Sequence, residues 1–370
     1  MDNIIYNQSD KPNNIIESEE KLTLLAESLE NELPVFLKTY FIYLKGNVLV
    51  KTRVEYLRDL KKFFNYLIKE KIVEKENIVD ISIEHLNKIT AKDVNFYIDY
   101  MRRYKIYKKG KTIIYQNENR ALARKRSSLS VFFKFLYREE MLKNNITLSF
   151  NPIRLPKPTD KEIKALTDDE TMKMLDIVKT GDGLSKKQKI FFEKTKKRDR
   201  AILIFFLTFG LRITELRELN ISSFNFSRNE FQIFRKRGKE ITLPLNKSTI
   251  KALYEYTENE RNLVEIYDEK EKDALFLSLQ GKRLAERQIR EIVKKWTSFV
   301  LGTSQKKGYS PHKLRATTAT SLIERGESIF DVQALLNHEN LQTTQLYAMH
   351  RKHAARDLIK NLEWEDEFDE

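Results

Sequence analysis

The sequence of 370 residues contains no cysteine. This absence excludes a disulfide framework, a cysteine nucleophile and a metal site built from thiolates. It also fits the reducing environment of the cytoplasm, so we expect a cytoplasmic protein.

Long apolar runs are missing as well. The longest, AILIFFLTFGL from Ala201 to Leu211, is too short to span a bilayer, and we interpret it as a buried helix. The N-terminal stretch MDNIIYNQSDKPNN has no basic region followed by an apolar one and is therefore not typical of a secretory signal. The sequence predicts no membrane partner.

Charged residues are plentiful and unbalanced. They make up 33% of the chain, and 68 Lys and Arg residues stand against 54 Asp and Glu residues, for a formal net charge of +14. This balance suits a polyanionic partner such as nucleic acid, but it also fits a protein whose charge serves solubility alone. A hydrophobic content of 41% supports well-buried cores, and the length predicts two domains.

Apolar residues recur at helical spacing through the first part of the chain. In TRVEYLRDLKKFFNYLIKEK they form one stripe from Tyr56 to Ile68, and SSLSVFFKFLYREEML repeats the pattern. No strand pattern is visible in this part. We therefore predict a helical bundle domain at residues 31–150, preceded by a flexible N-terminal segment at residues 1–30.

A proline-rich stretch separates this part from the next. The three prolines of NPIRLPKPTDKE favour extended backbone, which predicts an interdomain linker at residues 151–165. A second domain at residues 166–352 follows, and the acidic residues 353–370 form a tail that we expect to contact a neighbouring protomer.

Helical and strand patterns alternate in the second domain. Thr167 and Glu170 form a capping box at the start of its first helix. Farther on, FQIFRKRGKEITLPL alternates apolar and polar residues on both sides of RKRGKE, which predicts a β-hairpin with a cationic tip. Gly326 is expected to end one helix and Ser328 to begin the next. The overall class predicted is mainly α with a small β-sheet.

Cations cluster in two segments of the first domain and at the tip of the hairpin. On a DNA-binding protein they are candidates for contacts to the phosphate backbone, and the simpler alternative for each is a solvated surface. The candidates are Arg102, Arg103, Lys108, Lys109, Arg120, Arg124, Lys125, Arg235, Arg237 and Lys239.

Histidine is scarce, and four of the five residues fall between His312 and His353, around Tyr347. They overlap an ordered set of polar residues in the second domain. The set consists of Arg212, Lys236, His312, Arg315, His338 and Tyr347.

This set suits chemistry at a phosphodiester. Two guanidiniums can hold its non-bridging oxygens, and His312 and Arg315, three residues apart, share one helix face. A tyrosine hydroxyl, with an ordinary pKa of about 10, is activated by nearby cations and can attack phosphorus, while a lysine can protonate the leaving oxygen. No cluster of carboxylates typical of a Mg²⁺ site is visible, and we expect neither a metal nor a cofactor.

The chain resembles the tyrosine recombinases of the integrase type, and specifically the bacterial Xer recombinases. The family signature runs from an arginine through a lysine on a β-hairpin, an H-x-x-R unit and a Gly-His pair to the tyrosine. The resemblance covers essentially the whole chain. It is carried by the segments GLRITEL, RGKEITLPL, LFLS, SPHKLR and TTQLY. It implies a helical core-binding domain of SAM-like type and a mixed α/β catalytic domain, forming a C-shaped clamp around DNA.

The resemblance also implies a role for each residue of the set. Tyr347 would attack the scissile phosphate and form a 3′-phosphotyrosyl link, and Arg212 and Arg315 would clamp that phosphate. Lys236 would be the general acid and His312 would assist proton transfer, while His338 would donate a hydrogen bond to the phosphate. Glu215, one turn after Arg212, would orient that arginine.

Strand exchange through a Holliday junction would follow from this chemistry. The implied partner is double-stranded DNA, with four copies of the chain on paired sites and a monomer or dimer when free, and the protein would associate with the nucleoid when bound. The departure that matters most is Asn337, which stands where the family has glycine. Asparagine is the next-best residue for a left-handed helix terminus, so we expect the local geometry to be kept.

Four alternatives remain for the function. Resolution of chromosome or plasmid dimers, as in single-recombinase Xer systems, is the first. An integrase or excisionase of a phage or conjugative element is the second. A DNA-binding protein of the same fold without catalytic activity belongs to a different class, and a relaxing topoisomerase would share the cleavage chemistry.

Overall fold

The computed structural model describes residues 11–108, 110–156, 163–235 and 239–337. The chain divides into two compact units, residues 1–156 and 157–370. Each unit has a hydrophobic core of its own. Within the described residues, no helix is long and apolar enough to cross a membrane.

The first unit is a bundle of helices with one small hairpin. Its helices are α1 (Asn13–Asn31), α2 (Lys38–Asn47), α3 (Val50–Lys69), α4 (Ile83–Leu86), α5 (Ala91–Tyr100) and α6 (Asn119–Arg138). Two antiparallel strands, β1 (Arg103–Lys108) and β2 (Lys111–Gln116), lie between α5 and α6.

The apolar stripes read from the sequence do form the core of this unit. On α3 and α6 the stripe residues Leu60, Phe63, Phe64, Phe132 and Phe133 are at most 1% exposed. Their rings meet mainly edge to face, as for Phe63 and Phe133, whose centroids are 5.9 Å apart. This geometry is favourable because the positive edge of one ring faces the negative face of the next.

Two expectations for this unit were wrong. The expected flexible segment includes α1, whose Ala26 and Leu29 are buried in the core. The hairpin was not predicted because every residue of β2 is exposed. Such a strand lacks the alternation of apolar and polar positions that indicates a strand in the sequence. Its only turn signal is Gly110, which adopts a left-handed φ of 73°.

In the part of the second unit that the structure describes, one buried helix packs among seven others and a small sheet. The helices are α7 (Asp168–Thr180), α8 (Lys186–Phe192), α9 (Lys196–Phe209), α10 (Ile213–Arg217), α11 (Lys247–Asn259), α12 (Glu286–Val300), α13 (Pro311–Glu324) and α14 (Ile329–Leu336). The strands β3 (Phe224–Asn225), β4 (Glu230–Phe234) and β5 (Glu240–Pro244) form an antiparallel sheet in that order.

Several local predictions for this unit are confirmed. The predicted hairpin is β4 and β5, which pair Phe231 with Leu243 and Ile233 with Ile241. Thr167 and Glu170 make the predicted capping box, and Ser328 caps α14 by accepting the N–H of Phe330. Gly326 follows the end of α13 with a φ of 90°.

The apolar run at Ala201–Leu211 falls mostly in α9, the buried helix of this unit. Helix α13 packs beside it, where the Thr318 hydroxyl lies 3.0 Å from the carbonyl oxygen of Phe206. Helix α9 ends at Phe209, and Gly210 then turns the chain with a left-handed φ of 56°. This turn delivers Arg212 to the start of α10, beside α13.

Candidate active site

Arg212 is the N-cap of α10 and is held by a buried carboxylate. The Arg212 backbone N–H donates to Glu215 Oε2 and its Nη1 donates to Glu215 Oε1, both at 2.7 Å. Glu215 is only 5% exposed, whereas the Arg212 side chain keeps a third of its surface. A buried carboxylate with two charge-assisted contacts fixes both the main chain and the guanidinium of Arg212.

Arg315 lies one turn into α13 and is 3% exposed. Ser310 is the N-cap of this helix and Pro311 occupies its first turn, where the missing N–H of proline is not needed. The Arg315 Nη1 donates to the carbonyl oxygen of Gly210 at 2.6 Å. The turn that positions Arg212 is therefore also bonded to Arg315.

Three arginines converge on the end of α14. Arg235 Nη2 donates to the carbonyl oxygen of Leu335 at 2.6 Å, Arg315 Nη2 donates to that of Leu336, and Arg212 Nη2 donates to that of Asn337 at 3.0 Å. The last carbonyls of a helix have no partner within it and carry partial negative charge. We call this arrangement the carbonyl clasp: three cations, from three parts of the chain, bonded to three consecutive main-chain oxygens.

Asn337 ends α14 in the left-handed conformation, with φ 48° and ψ 56°. The expectation that asparagine keeps the helix terminus usually formed by glycine is therefore confirmed. The turn matters because the next residue in the chain is His338.

His312 lies at the start of α13, on the same face as Arg315. It is more than a third exposed, yet its partial burial and the charges of Arg315 and Arg212 lower its pKa below the usual range. Both effects disfavour the imidazolium, because burial removes water from a charge and like charges repel. The neutral ring can accept a proton at neutral pH.

The structure brings together Arg212, Glu215, His312 and Arg315 but does not extend to the whole predicted set. Lys236, His338 and Tyr347 lie outside the described residues, as do Lys109, Arg237 and the side chain of Lys108 among the candidate DNA contacts.

Two candidate DNA contacts need correction. Arg235 is 4% exposed and its Nη2 is bonded within the carbonyl clasp, and burial lowers its pKa. Lys125 is 5% exposed, and its Nζ lies 3.0 Å from Asp59 Oδ1. Both cations were predicted to lie on the surface. The position of a residue in a helix or strand pattern does not show whether its charge is paired with a buried acceptor.

The other described candidates are exposed. Arg102, Arg103 and Arg120 face solvent in the first unit, and Lys239 does so in the second. Arg124 is also exposed, although it donates to both oxygens of the buried Asp59, at 2.6 and 3.0 Å.

Sequence reasoning missed Asp59 and the carbonyl clasp. Asp59 is 2% exposed, and its position four residues before Phe63 on the apolar face of α3 was a signal that it would need partners inside. The clasp leaves no such signal, because its acceptors are main-chain oxygens, which every residue carries.

Comparison with known proteins places the chain in a family. The phage integrase family model matches residues 164–354, and the model of the phage integrase N-terminal SAM-like domain matches residues 37–140. Tyrosine recombinase XerC of Caldanaerobacter subterraneus is 30% identical over 303 residues, which cover 79% of this chain and 76% of the relative. Tyrosine recombinase XerS of Streptococcus thermophilus is 29% identical over 367 residues, 92% of this chain and 98% of the relative.

The fold agrees with this relationship. The crystal structure of XerH site-specific recombinase bound to difH substrate aligns with a TM-score of 0.60 at 19% identity, over 92% of this chain and 97% of that one. The chain belongs to the phage integrase family of tyrosine recombinases.

Proposed function

We propose that this protein is a site-specific DNA recombinase that cleaves and rejoins double-stranded DNA through a 3′-phosphotyrosyl intermediate and a Holliday junction. The observation that supports this most is the convergence of Arg212 and Arg315, both bonded to the last carbonyls of α14, with His312 on the same helix as Arg315. Two guanidiniums and a neutral imidazole in one place suit the negative charge of a phosphodiester.

In this proposal the arginines bind the scissile phosphate. Each guanidinium offers donors in a fixed plane that match two phosphate oxygens, and the charges offset the negative charge that builds up on the equatorial oxygens. Because Glu215 and the main-chain carbonyls already fix both side chains, little reorganisation is needed when the phosphate arrives.

Tyr347 is the proposed nucleophile. Its phenolic oxygen bonds to phosphorus, the bond from phosphorus to the 5′-oxygen breaks, and Lys236 gives that oxygen a proton. His312 accepts the phenolic proton, a role that its lowered pKa favours, and His338 donates a hydrogen bond to the phosphate. Attack by a 5′-hydroxyl from a partner duplex reverses the step, so the energy of the broken bond is kept and no cofactor takes part.

The partner in this proposal is duplex DNA carrying a recombination site, with four copies of the chain on a pair of sites. The XerC and XerS names of the relatives support resolution of chromosome or plasmid dimers as the biological role. Integration or excision of a mobile element is the second candidate, and the family model itself bears the name of phage integrases.

Trapping the covalent intermediate tests the proposal. Wild-type protein expressed in its own cells should yield DNA adducts that survive denaturant, whereas Tyr347→Phe should yield none because it lacks the nucleophilic oxygen. Wild-type protein that binds DNA without forming adducts would instead identify an inactive DNA-binding protein. A wild-type protein that relaxes any supercoiled plasmid without paired sites would identify a topoisomerase.

Sequencing the trapped DNA then separates the biological roles. A single chromosomal site near the replication terminus supports dimer resolution. Attached DNA from the ends of a mobile element supports integration.

A further inference from the structure

The hairpin of the first unit concentrates positive charge. Residues 102–116 contain six lysines and arginines and no acidic residue. Among the described side chains of the two strands, Tyr104 is half-buried and the others are exposed, with Tyr107 near the tip 75% exposed. A two-stranded hairpin with this composition has almost no core of its own and needs support from elsewhere.

A ladder of tyrosines supplies that support. Tyr97, in the core, contacts Tyr66 at 5.2 Å between ring centroids, and Tyr66 contacts Tyr100 at 5.0 Å. Tyr100 then lies 6.1 Å from Tyr104 of β1, which stacks on Tyr115 of β2 at 5.1 Å. The ladder fixes the base of the hairpin to α3 and α5, so the hairpin projects as a supported arm.

Strand pairing puts Arg103 and Lys105 on the opposite face of the hairpin from that ladder. Residues directly opposite share a face and successive residues alternate, so Arg103, Lys105 and Tyr107 project together. This face, which we call the basic face, carries exposed cations and an exposed aromatic ring but no carboxylate.

We propose that the basic face of the hairpin binds the phosphate backbone of duplex DNA. This proposal rests on DNA being the partner of the protein, as the proposed function holds. A phosphate backbone fits because cations without acidic neighbours release its condensed counterions on binding. A second copy of the chain fits less well, since each copy carries a net charge of +14 and would bring like charges together.

The salt dependence of DNA binding tests this arm. Both variants are made in a Tyr347→Phe background. The hairpin variant combines Arg103→Gln with Lys105→Gln. The control variant combines Lys134→Gln with Lys143→Gln, which remove the same charge from exposed positions on α6 and after it. The probe is a random 30-bp duplex between 50 and 200 mM salt. We expect the hairpin variant to flatten the slope of log affinity against log salt by about 1.8, two contacts at roughly 0.9 each, and the control to keep the wild-type slope.

Equal slopes in the hairpin and control variants would overturn the proposal. So would an unchanged slope combined with weaker assembly of copies on paired sites, which would make the hairpin a protein contact. Because the background variant cannot form adducts, failure here says nothing about the cleavage chemistry, and failure of the adduct test says nothing about the arm.

A separate observation concerns Arg235. It follows β4 directly, its backbone N–H donates to the carbonyl oxygen of Lys239 at 2.8 Å, and its guanidinium is bonded to Leu335 in the carbonyl clasp. Lys236 is the next residue in the chain, and Arg235 is the member of the clasp that adjoins the sheet. It therefore ties the base of the hairpin tip to the helix end that Arg212 and Arg315 also hold.

We infer that Arg235 is a positioning residue that fixes the base from which Lys236 reaches the leaving oxygen. This inference rests on the proposed role of Lys236 as general acid. A general acid contributes through its placement, so releasing its anchor should slow cleavage without weakening phosphate binding.

A substrate that needs no general acid tests this role. Arg235→Gln is assayed on duplex DNA carrying the site recovered from trapped adducts, with either oxygen or sulfur at the 5′-bridging position. A thiolate leaves without a proton, so we expect the variant to cleave ordinary DNA about tenfold or more slowly but sulfur-substituted DNA at nearly the wild-type rate. Lys251→Gln, at an exposed position on α11 away from the site, is the control and should cleave both like wild type.

If Arg235→Gln cleaves both substrates more slowly by the same factor, Arg235 has only a structural role. If the variant cleaves both substrates at the wild-type rate, Arg235 has no role in cleavage. Both outcomes overturn the inference. If wild-type protein cleaves neither substrate, the proposed function has failed instead.

Discussion

Arg212 and Arg315 reach their positions through contacts that leave little freedom to either side chain. Each donates to acceptors inside the protein, Arg212 to Glu215 and Asn337, and Arg315 to Gly210 and Leu336. Glu215 is the only one of these acceptors that carries a full charge. It is therefore the point at which a single substitution should loosen the arginine pair most selectively.

Glu215→Gln should weaken the hold on Arg212. Glutamine has one oxygen, so one of the two 2.7 Å contacts is lost and the other loses its ionic character. We expect the unfolding free energy to fall by about 1–3 kcal/mol and adduct formation to slow about tenfold. Glu193→Gln, which breaks the exposed ion pair with Lys196, should change neither quantity measurably.

His312 should titrate below its usual range in the free protein. NMR of the imidazole protons, assigned with a His312→Gln variant, should give a midpoint below about 6.5, and Arg212→Gln should raise it by removing a repelling charge. Because the folded state disfavours the imidazolium, the contribution of His312 to stability is complete above the unfolded pKa and is lost as the pH falls through the folded one. A midpoint at or above 6.5 would contradict this account.

Among the elements, the turn between α9 and α10 is sterically constrained beside the candidate site. A Cβ on Gly210 would lie 2.4 Å from Leu336 Cδ2, and the residue has a left-handed φ of 56°. Gly302 provides a matched comparison, since its φ is 58° but no atom lies within 4 Å of its Cβ position.

Gly210→Ala should therefore destabilise the protein more than Gly302→Ala. The backbone strain, about 1–2 kcal/mol, is common to both, whereas only Gly210→Ala forces Leu336 and the end of α14 to move. Thermal unfolding of both variants measures the difference, and adduct formation should fall only in Gly210→Ala. Equal melting temperatures of the two variants would mean that Leu336 moves away from the new methyl group without loss of stability.

The sequence predicts those elements whose signals are local. The stripe on α3, the capping box of α7, the β4–β5 hairpin and the left-handed Asn337 each depend on neighbouring residues, and each was predicted. The β1–β2 hairpin was not predicted, because a strand exposed on both faces does not need alternating apolar and polar residues. The burial of Lys125 and Arg235 could not be predicted either, since their partners lie 66 and 100 residues away in the chain.

At the scale of the whole molecule, the two cores are separate. Among the described residues, the core of the first unit runs from Ala26 to Phe150 and that of the second from Leu166 to Leu314. Each unit therefore has its own source of hydrophobic stabilisation.

Substitutions in the two cores should consequently act on different unfolding transitions. Phe132→Ala and Phe206→Ala remove fully buried rings from the first and second unit, and each should cost about 3–5 kcal/mol. Scanning calorimetry should show Phe132→Ala lowering one transition and Phe206→Ala the other. A single transition that both variants shift equally would show that the units unfold together.

The carbonyl clasp also determines which changes of length the chain can tolerate. Its acceptors are main-chain oxygens of Leu335, Leu336 and Asn337, so replacing the side chains at these positions leaves every acceptor in place. Inserting or deleting one residue within α14 would instead rotate its end by about 100° and turn all three oxygens away from their arginines at once. A library of variants should therefore accept many substitutions in this helix and almost no change in its length.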